Sequence, residues 1–190
     1  MVNNTSRLII NHIGNVGLEF ADMPERNLHI KDVADAFIRL QATGNNGQKW
    51  NILSSRGGSL LNLGNFGILD VDDNVSRFVI DNGGRIGIGL DIPETNMHVK
   101  VAADVNLRLE SAINNGQKWN ILSSGGSSIL NSSYFGIVEV DANTPRFVIN
   151  NNGNVGIGVI DAGNFNLALA GHTYWYISTY REAFKRYAIG

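Results

Sequence analysis

The sequence predicts an all-β chain built on a tandem repeat, from three observations: a long string that occurs twice, short stretches of period-two hydrophobic alternation, and turn-forming clusters between them. Asn45 to Ser55 reads NNGQKWNILSS and recurs unchanged from Asn114 to Ser124. In that register Asp35–Gly89 and Asp104–Gly158 are identical at 33 of 55 positions. A self-match of this extent marks duplicated structural units.

A partial third copy precedes them. Ser6-Arg-Leu-Ile-Ile-Asn matches Ser76-Arg-Phe-Val-Ile-Asp and Pro145-Arg-Phe-Val-Ile-Asn, and Met23-Pro-Glu-Arg-Asn-Leu-His-Ile matches Ile92-Pro-Glu-Thr-Asn-Met-His-Val. The expected organisation is therefore a partial repeat over residues 1–30, β modules over 31–99 and 100–168, and a different segment over 169–190. The chain starts inside a repeat, as it would if an upstream portion existed or if the N-terminus continued another element.

Each stretch in turn reads as a strand. Leu107 and Leu109 alternate with Asn106, Arg108 and Glu110; Trp50 and Ile52 with Lys49 and Asn51; Phe78 and Ile80 with Arg77 and Val79. Lys31 to Leu40 could form a helix by itself, but its counterpart contains Val105-Asn-Leu-Arg-Leu109, and the strand is preferred. Gly44–Gly47, Arg56–Ser59, Asp72–Asn74 and Asp81–Gly84 supply residues suited to turn geometry. Their spacing, about one turn every 10 to 15 residues, points to an antiparallel unit.

Ile86-Gly-Ile-Gly89 recurs as Val155-Gly-Ile-Gly158. If both glycines of each pair lie in a strand, one face there has no side chains, which marks a close backbone approach. Gly87, Gly89, Gly156 and Gly158 are thus the candidate assembly residues. A lone β unit as short as one of these modules buries a modest share of its surface, and copies from other chains would supply the rest.

Composition narrows the function classes. The 190 residues include 25 Asn and 22 Gly, 17% are charged, and the formal net charge is −2. That balance lacks the basic footprint of a nucleic-acid or anionic-membrane binder. No cysteine is present, which excludes disulfides, thiolate metal sites and a cysteine nucleophile. No apolar run reaches the roughly 18 residues of a membrane span, and Met1-Val-Asn-Asn-Thr-Ser has no signal-peptide pattern.

Catalytic chemistry finds little support, and the sequence reads as non-enzymatic, without cofactor or metal. His29 and His98 are one repeat position, and His98 between Met97 and Val99 fits a structural residue. No nucleophile elbow appears. Asp70-Val-Asp-Asp-Asn74 lacks the Gly and distal Glu of a calcium loop, and its second copy reads Glu139-Val-Asp-Ala-Asn143. Gly84-Arg-Ile-Gly-Ile-Gly89 has the wrong glycine order for phosphate binding. Trp50 with Asn51, and Trp119 with Asn120, could stack on a sugar ring and bond its hydroxyls, or Trp could fill the module core in phase with Ile52.

From Gly171 the pattern changes. His172-Thr-Tyr174-Trp175-Tyr176 reads as a short strand, and Thr179 with Glu182 forms a capping-box pattern opening an amphipathic helix. This C-terminal segment fits a cap on the last repeat, a tip whose aromatics contact a glycan or receptor, or a scar of abrupt composition.

Arg146-Phe-Val-Ile-Asn-Asn-Asn-Gly-Asn-Val-Gly-Ile-Gly158, with Gly84 through Pro93 to Met97-His-Val99, resembles the Gly-Asn-Val-Gly-Ile-Gly…Pro…Leu-His-Val segments of phage tail-fibre and related trimeric bacterial fibre or adhesin proteins. The order Leu-Arg-Leu-Glu, Trp, Phe-Gly-Ile, Arg-Phe is similar to the modules that alternate with that segment, and the likeness spans nearly all of residues 5–168. It implies an elongated homotrimer serving as a shaft or receptor-binding part, extracellular or virion-associated. The self-cleaving chaperone domain at the end of many such fibres has no counterpart after Asn166. A soluble carbohydrate-binding lectin with two tandem modules is the alternative expectation.

Overall fold

The computed structural model describes residues 6–20, 23–57, 61–113, 116–126 and 129–171. Among them every regular element is a β-strand, and the strands form three sheets. The chain divides into two compact units between Ala102 and Ala103. Tyr174, Trp175 and Tyr176, with the expected strand and helix of the C-terminal segment, lie outside the described residues.

The first unit holds two sheets. Strands β1 (Ser6–Ile10), β2 (Val16–Phe20) and β3 (Leu28–Ile30) form one, in that order. Strands β4 (Ala36–Gln41), β5 (Lys49–Ser54), β6 (Phe66–Asp70), β7 (Val75–Ile80), β8 (Ile86–Ile88) and β9 (Met97–Val99) form the other, again in chain order. The second unit repeats the latter arrangement with β10 (Val105–Glu110), β11 (Lys118–Ser123), β12 (Phe135–Glu139), β13 (Thr144–Ile149), β14 (Val155–Ile157) and β15 (Leu167–Leu169). Residue pairing repeats too: Leu40 opposes Trp50 as Leu109 opposes Trp119, and a register shift follows Ile68 as it follows Ile137.

Each six-stranded sheet is an antiparallel meander whose last pair is parallel, and β2–β3 is parallel as well. The expectation of a purely antiparallel unit is corrected here. After β8 the chain turns at Gly89, φ +74°, and crosses back through the buried Pro93 to enter β9 in the direction of β8. Leu167-Ala-Leu closes the second sheet against β14.

Alternation gives each sheet two unlike faces. On one face of the first six-stranded sheet, Leu53, Leu69 and Val79 are buried beneath Leu61, which is carried by the β5–β6 connection. That connection is held by Ser55, whose amide donates to the Asn65 carbonyl at 2.8 Å and whose hydroxyl donates to the Leu61 carbonyl at 3.1 Å. Gly67, between Leu53 and Val79 in register, leaves the space that the Leu61 side chain fills. Leu122, Val138, Val148, Leu130 and Tyr134 build the equivalent core in the second unit, where Ser124 and Gly136 play the same parts.

Candidate functional site

The opposite face of each sheet is apolar and open. Register places Ile38 and Leu40 of β4, Trp50 and Ile52 of β5, Phe66 and Ile68 of β6, Phe78 and Ile80 of β7, Ile86 and Ile88 of β8, and Met97 and Val99 of β9 on one side. None of these twelve side chains is fully buried; Leu40 is 56% exposed and Phe66 41%. In the second unit Leu107, Leu109, Trp119, Ile121, Phe135, Ile137, Phe147, Ile149, Val155, Ile157, Leu167 and Leu169 recur on one face, with Leu109 56% and Phe135 41% exposed. The small sheet continues the pattern with Leu8, Ile10, Val16, Leu18, Leu28 and Ile30.

Within the first unit the two sheets together line an open groove of about 250 Å³, with Leu28 and Ile30 on one side and Ala36, Ile38, Ile52 and Phe66 on the other. An exposed contiguous apolar surface of this kind marks an interaction site on a folded protein.

One carboxylate interrupts each six-stranded apolar face, at the register position opposite its tryptophan: Asp70 opposite Trp50 and Glu139 opposite Trp119. Asp70 is 1% exposed, and its Oδ2 accepts from Arg77 Nη2 at 2.7 Å. The Arg77 guanidinium holds the Asp70 carboxyl below the ordinary carboxylate range. Glu139 pairs with Arg146 and accepts from Gln117 Nε2 at 2.9 Å. Asp72, at the following turn, accepts from the Lys49 ammonium at 2.7 Å and the Lys49 amide at 2.8 Å, which likewise lowers its pKa. Asp70 to Asn74, which lacks the Gly and distal Glu of a calcium loop, is thus a strand end and turn whose carboxylates face cations. Among the described residues no group of three or more His, Cys, Asp or Glu is placed to hold a metal ion.

The tryptophans and asparagines singled out by the sequence do not converge. Trp50 and Asn51 leave β5 on opposite faces, as do Trp119 and Asn120 on β11. Trp50 and Trp119 are half-buried on the open apolar face, away from the buried clusters, so the expected placement of their rings in the module core is corrected. Trp119 and Gln117 share an open depression with Leu109, Glu110 and Ser111. The Oδ1 atoms of Asn51 and Asn120 accept at 3.0 Å from the Nε of Arg39 and Arg108.

The glycine pairs also split. Gly87 and Gly156 lie within strands, but Gly89 and Gly158, with φ of +74° and +71°, follow the strand ends as turn residues, so the two glycines of each pair do not share a strand face. A Cβ on Gly87 would stand 2.8 Å from the Leu90 carbonyl oxygen, and one on Gly156 2.8 Å from Val159 Cγ2. The close approach foreseen at these glycines is therefore made within the chain, by the β8–β9 and β14–β15 connections at Gly87 and Gly156 and by Lys100 and Ala170, just past β9 and β15, at Gly89 and Gly158. His29 and His98 have a local role: Nδ1 of each accepts from the amide of the residue four earlier, Glu25 and Glu94, at 3.4 Å.

The apolar face escaped the sequence reading because strands such as Phe66-Gly-Ile-Leu-Asp carry apolar residues at both parities. The signal available was glycine parity: Gly67, Gly87, Gly136 and Gly156 all share the face that the connections cover. No known protein-family model matches the chain, and no curated protein sequence matches it.

Proposed function

We propose that the chain is a structural and adhesive, non-catalytic segment of an elongated homotrimeric fibre of the phage tail-fibre type, built of tandem modules as long as the sequence repeat and working outside the cell or on a virion. The observation that carries the reading is the open apolar face, repeated on all three sheets with the same side-chain classes in the same register. A surface so apolar costs about 25 cal/mol for each Å² left in water, which favours covering it. The repeat supports another copy of the chain as the cover, because a partner must match apolar faces that recur once per module and a second copy has that spacing by construction. Within one module, three copies turned inward around one axis bury the apolar face and leave the loop-covered face outward for a receptor. This moves the assembly contact from the four glycines to the Ile38, Leu40, Trp50 and Phe66 face.

Light scattering after size exclusion tests the proposal. A trimer has a mass of about 62 kDa from chains of 20.7 kDa. Leu40→Lys with Leu109→Lys, which puts charge onto the inward faces, is expected to abolish it.

A further inference from the structure

Deepening the adhesive reading, and resting on it only for which face is outward, we propose that the loop-covered side of the β4–β5 edge binds an anionic saccharide, with Arg39, Phe37 and Asn51 as the contacting residues. Three groups converge there. Arg39 is exposed, its Nε donates to Asn51 Oδ1 at 3.0 Å, and its Cζ lies 5.9 Å from the centroid of the Phe37 ring. Phe37 is 49% exposed.

The arginine is held differently from Arg77, Arg85 and Arg146. Arg77, Arg85 and Arg146 each close on a carboxylate, Asp70, Asp81 and Glu139 respectively. Arg39 is oriented instead through its Nε by a neutral amide, and among the described residues it forms no ion pair. Its two Nη groups bond no described residue, which leaves the end of the guanidinium available to take a carboxylate bidentately. Phe37 adds an exposed apolar ring against which the C–H face of a pyranose can lie, and the Asn51 side-chain amide N–H groups, which donate to no described residue, supply hydroxyl contacts. An aromatic ring, an amide and a fixed guanidinium together select a sugar ring bearing an acid group over a bare anion or a neutral sugar.

The second unit carries a weakened version. Arg108 and Asn120 repeat the pair at 3.0 Å, but Asn106 stands where Phe37 does and its Oδ1 takes the Asn120 amide at 3.0 Å. Asp141 also lies in the field of Arg108. The first unit is thus the principal site.

The test is titration of the intact protein with a galacturonic acid trisaccharide, a neutral galactose trisaccharide and a glutamate-rich peptide, with the mass of each sample measured separately. The acidic sugar should bind at least about tenfold more tightly than either comparator, and Arg39→Ala and Phe37→Ala should each weaken it about tenfold or more at unchanged circular dichroism. Arg39→Lys, which keeps the charge and loses the fork, should weaken it similarly, whereas Arg108→Ala should change it less than about threefold. Absence of saturable binding, equal affinity for neutral sugar or peptide, or full retention by Arg39→Lys would overturn the proposal whatever the oligomeric state. A monomeric sample that still bound the acidic sugar in this way would leave the site standing and remove only the fibre.

Discussion

Gly87 lies directly beneath Leu90: a Cβ on the glycine would come within 2.8 Å of the Leu90 carbonyl oxygen and 3.3 Å of Leu90 Cδ2. The contact belongs to one chain and closes the β8–β9 connection over the sheet. Gly87→Ala is therefore expected to destabilise the fold itself by about 1–3 kcal/mol, the range for overpacking a tight site. Gly44→Ala, where nothing lies within 4 Å, should stay within about 0.5 kcal/mol of the parent. Denaturant unfolding of both variants measures the difference, and equal midpoints would remove the close approach as the reason for the glycine.

The two faces of a sheet should respond to truncation in opposite ways. Leu61 is 2% exposed over Gly67, and Leu61→Ala is expected to cost about 2–5 kcal/mol of unfolding free energy. Leu40, 56% exposed on the other face, contributes little within one chain. Leu40→Ala should leave the far-ultraviolet spectrum unchanged and lower only the stability of the assembly against dilution, as read by mass at falling concentration.

Asn150 organises the β13–β14 hairpin, and its counterparts Asn11 and Asp81 do the same for β1–β2 and β7–β8. Asn150 Oδ1 accepts from the amides of Asn152 at 3.0 Å and Asn154 at 2.9 Å, while Nδ2 donates to Asp161 Oδ1 at 3.0 Å. Asn150→Ala removes all three bonds from a buried side chain and should cost about 1–3 kcal/mol. Asn150→Asp keeps both accepted bonds, as Asp81 does with Gly83 and Arg85, but sets a carboxylate against Asp161 Oδ1 in place of the donated bond, so it should also destabilise at pH 7 by thermal or denaturant unfolding, and less so in acid where the pair takes up a proton.

Acid should weaken the fold through a defined set of carboxylates. Asp70 is held below its ordinary pKa chiefly by the Arg77 hydrogen bond, Asp72 and Asp141 by Lys49 and Lys118, Asp81 by the Arg85 amide, and Asp161 by Asn150. A depressed folded-state pKa means that the unfolded chain takes up protons first as pH falls. Their contribution is whole above the unfolded carboxylate value of about 4 and is lost as pH drops through the lower folded values. The unfolding midpoint should be flat from about pH 7 to 5 and fall below about 4, with a shallower fall in Asp72→Asn.

Much of the strand pattern is legible in the sequence because turn chemistry is local. Asp81-Asn-Gly-Gly84 encodes a turn through the Asp81 carboxylate and the positive φ of Gly84, whatever surrounds it. The parallel return of β9 is not legible, since it depends on how the connection from Gly89 to Asn96 folds around the buried Pro93. Nor could alternation alone decide which face of β5 is covered. Trp50 and Leu53 are both apolar and lie on opposite faces, and only Leu61, in the connection that follows β5, seals the Leu53 side. The residues of the proposed saccharide site scatter for the same reason: Asn51 meets Arg39 across the β4–β5 pair and Arg39 meets Phe37, whereas the adjacent Trp50 lies on the other face.

In the proposed trimer the apolar faces carrying Leu40, Trp50 and Phe66 meet their equivalents in other copies of the chain. Mass by light scattering on the intact protein, repeated for the Leu40→Lys, Leu109→Lys double variant, tests it most directly. The parent is expected at about 62 kDa and the variant at a lower mass. A parent that runs as a single 20.7 kDa chain at all concentrations would contradict it.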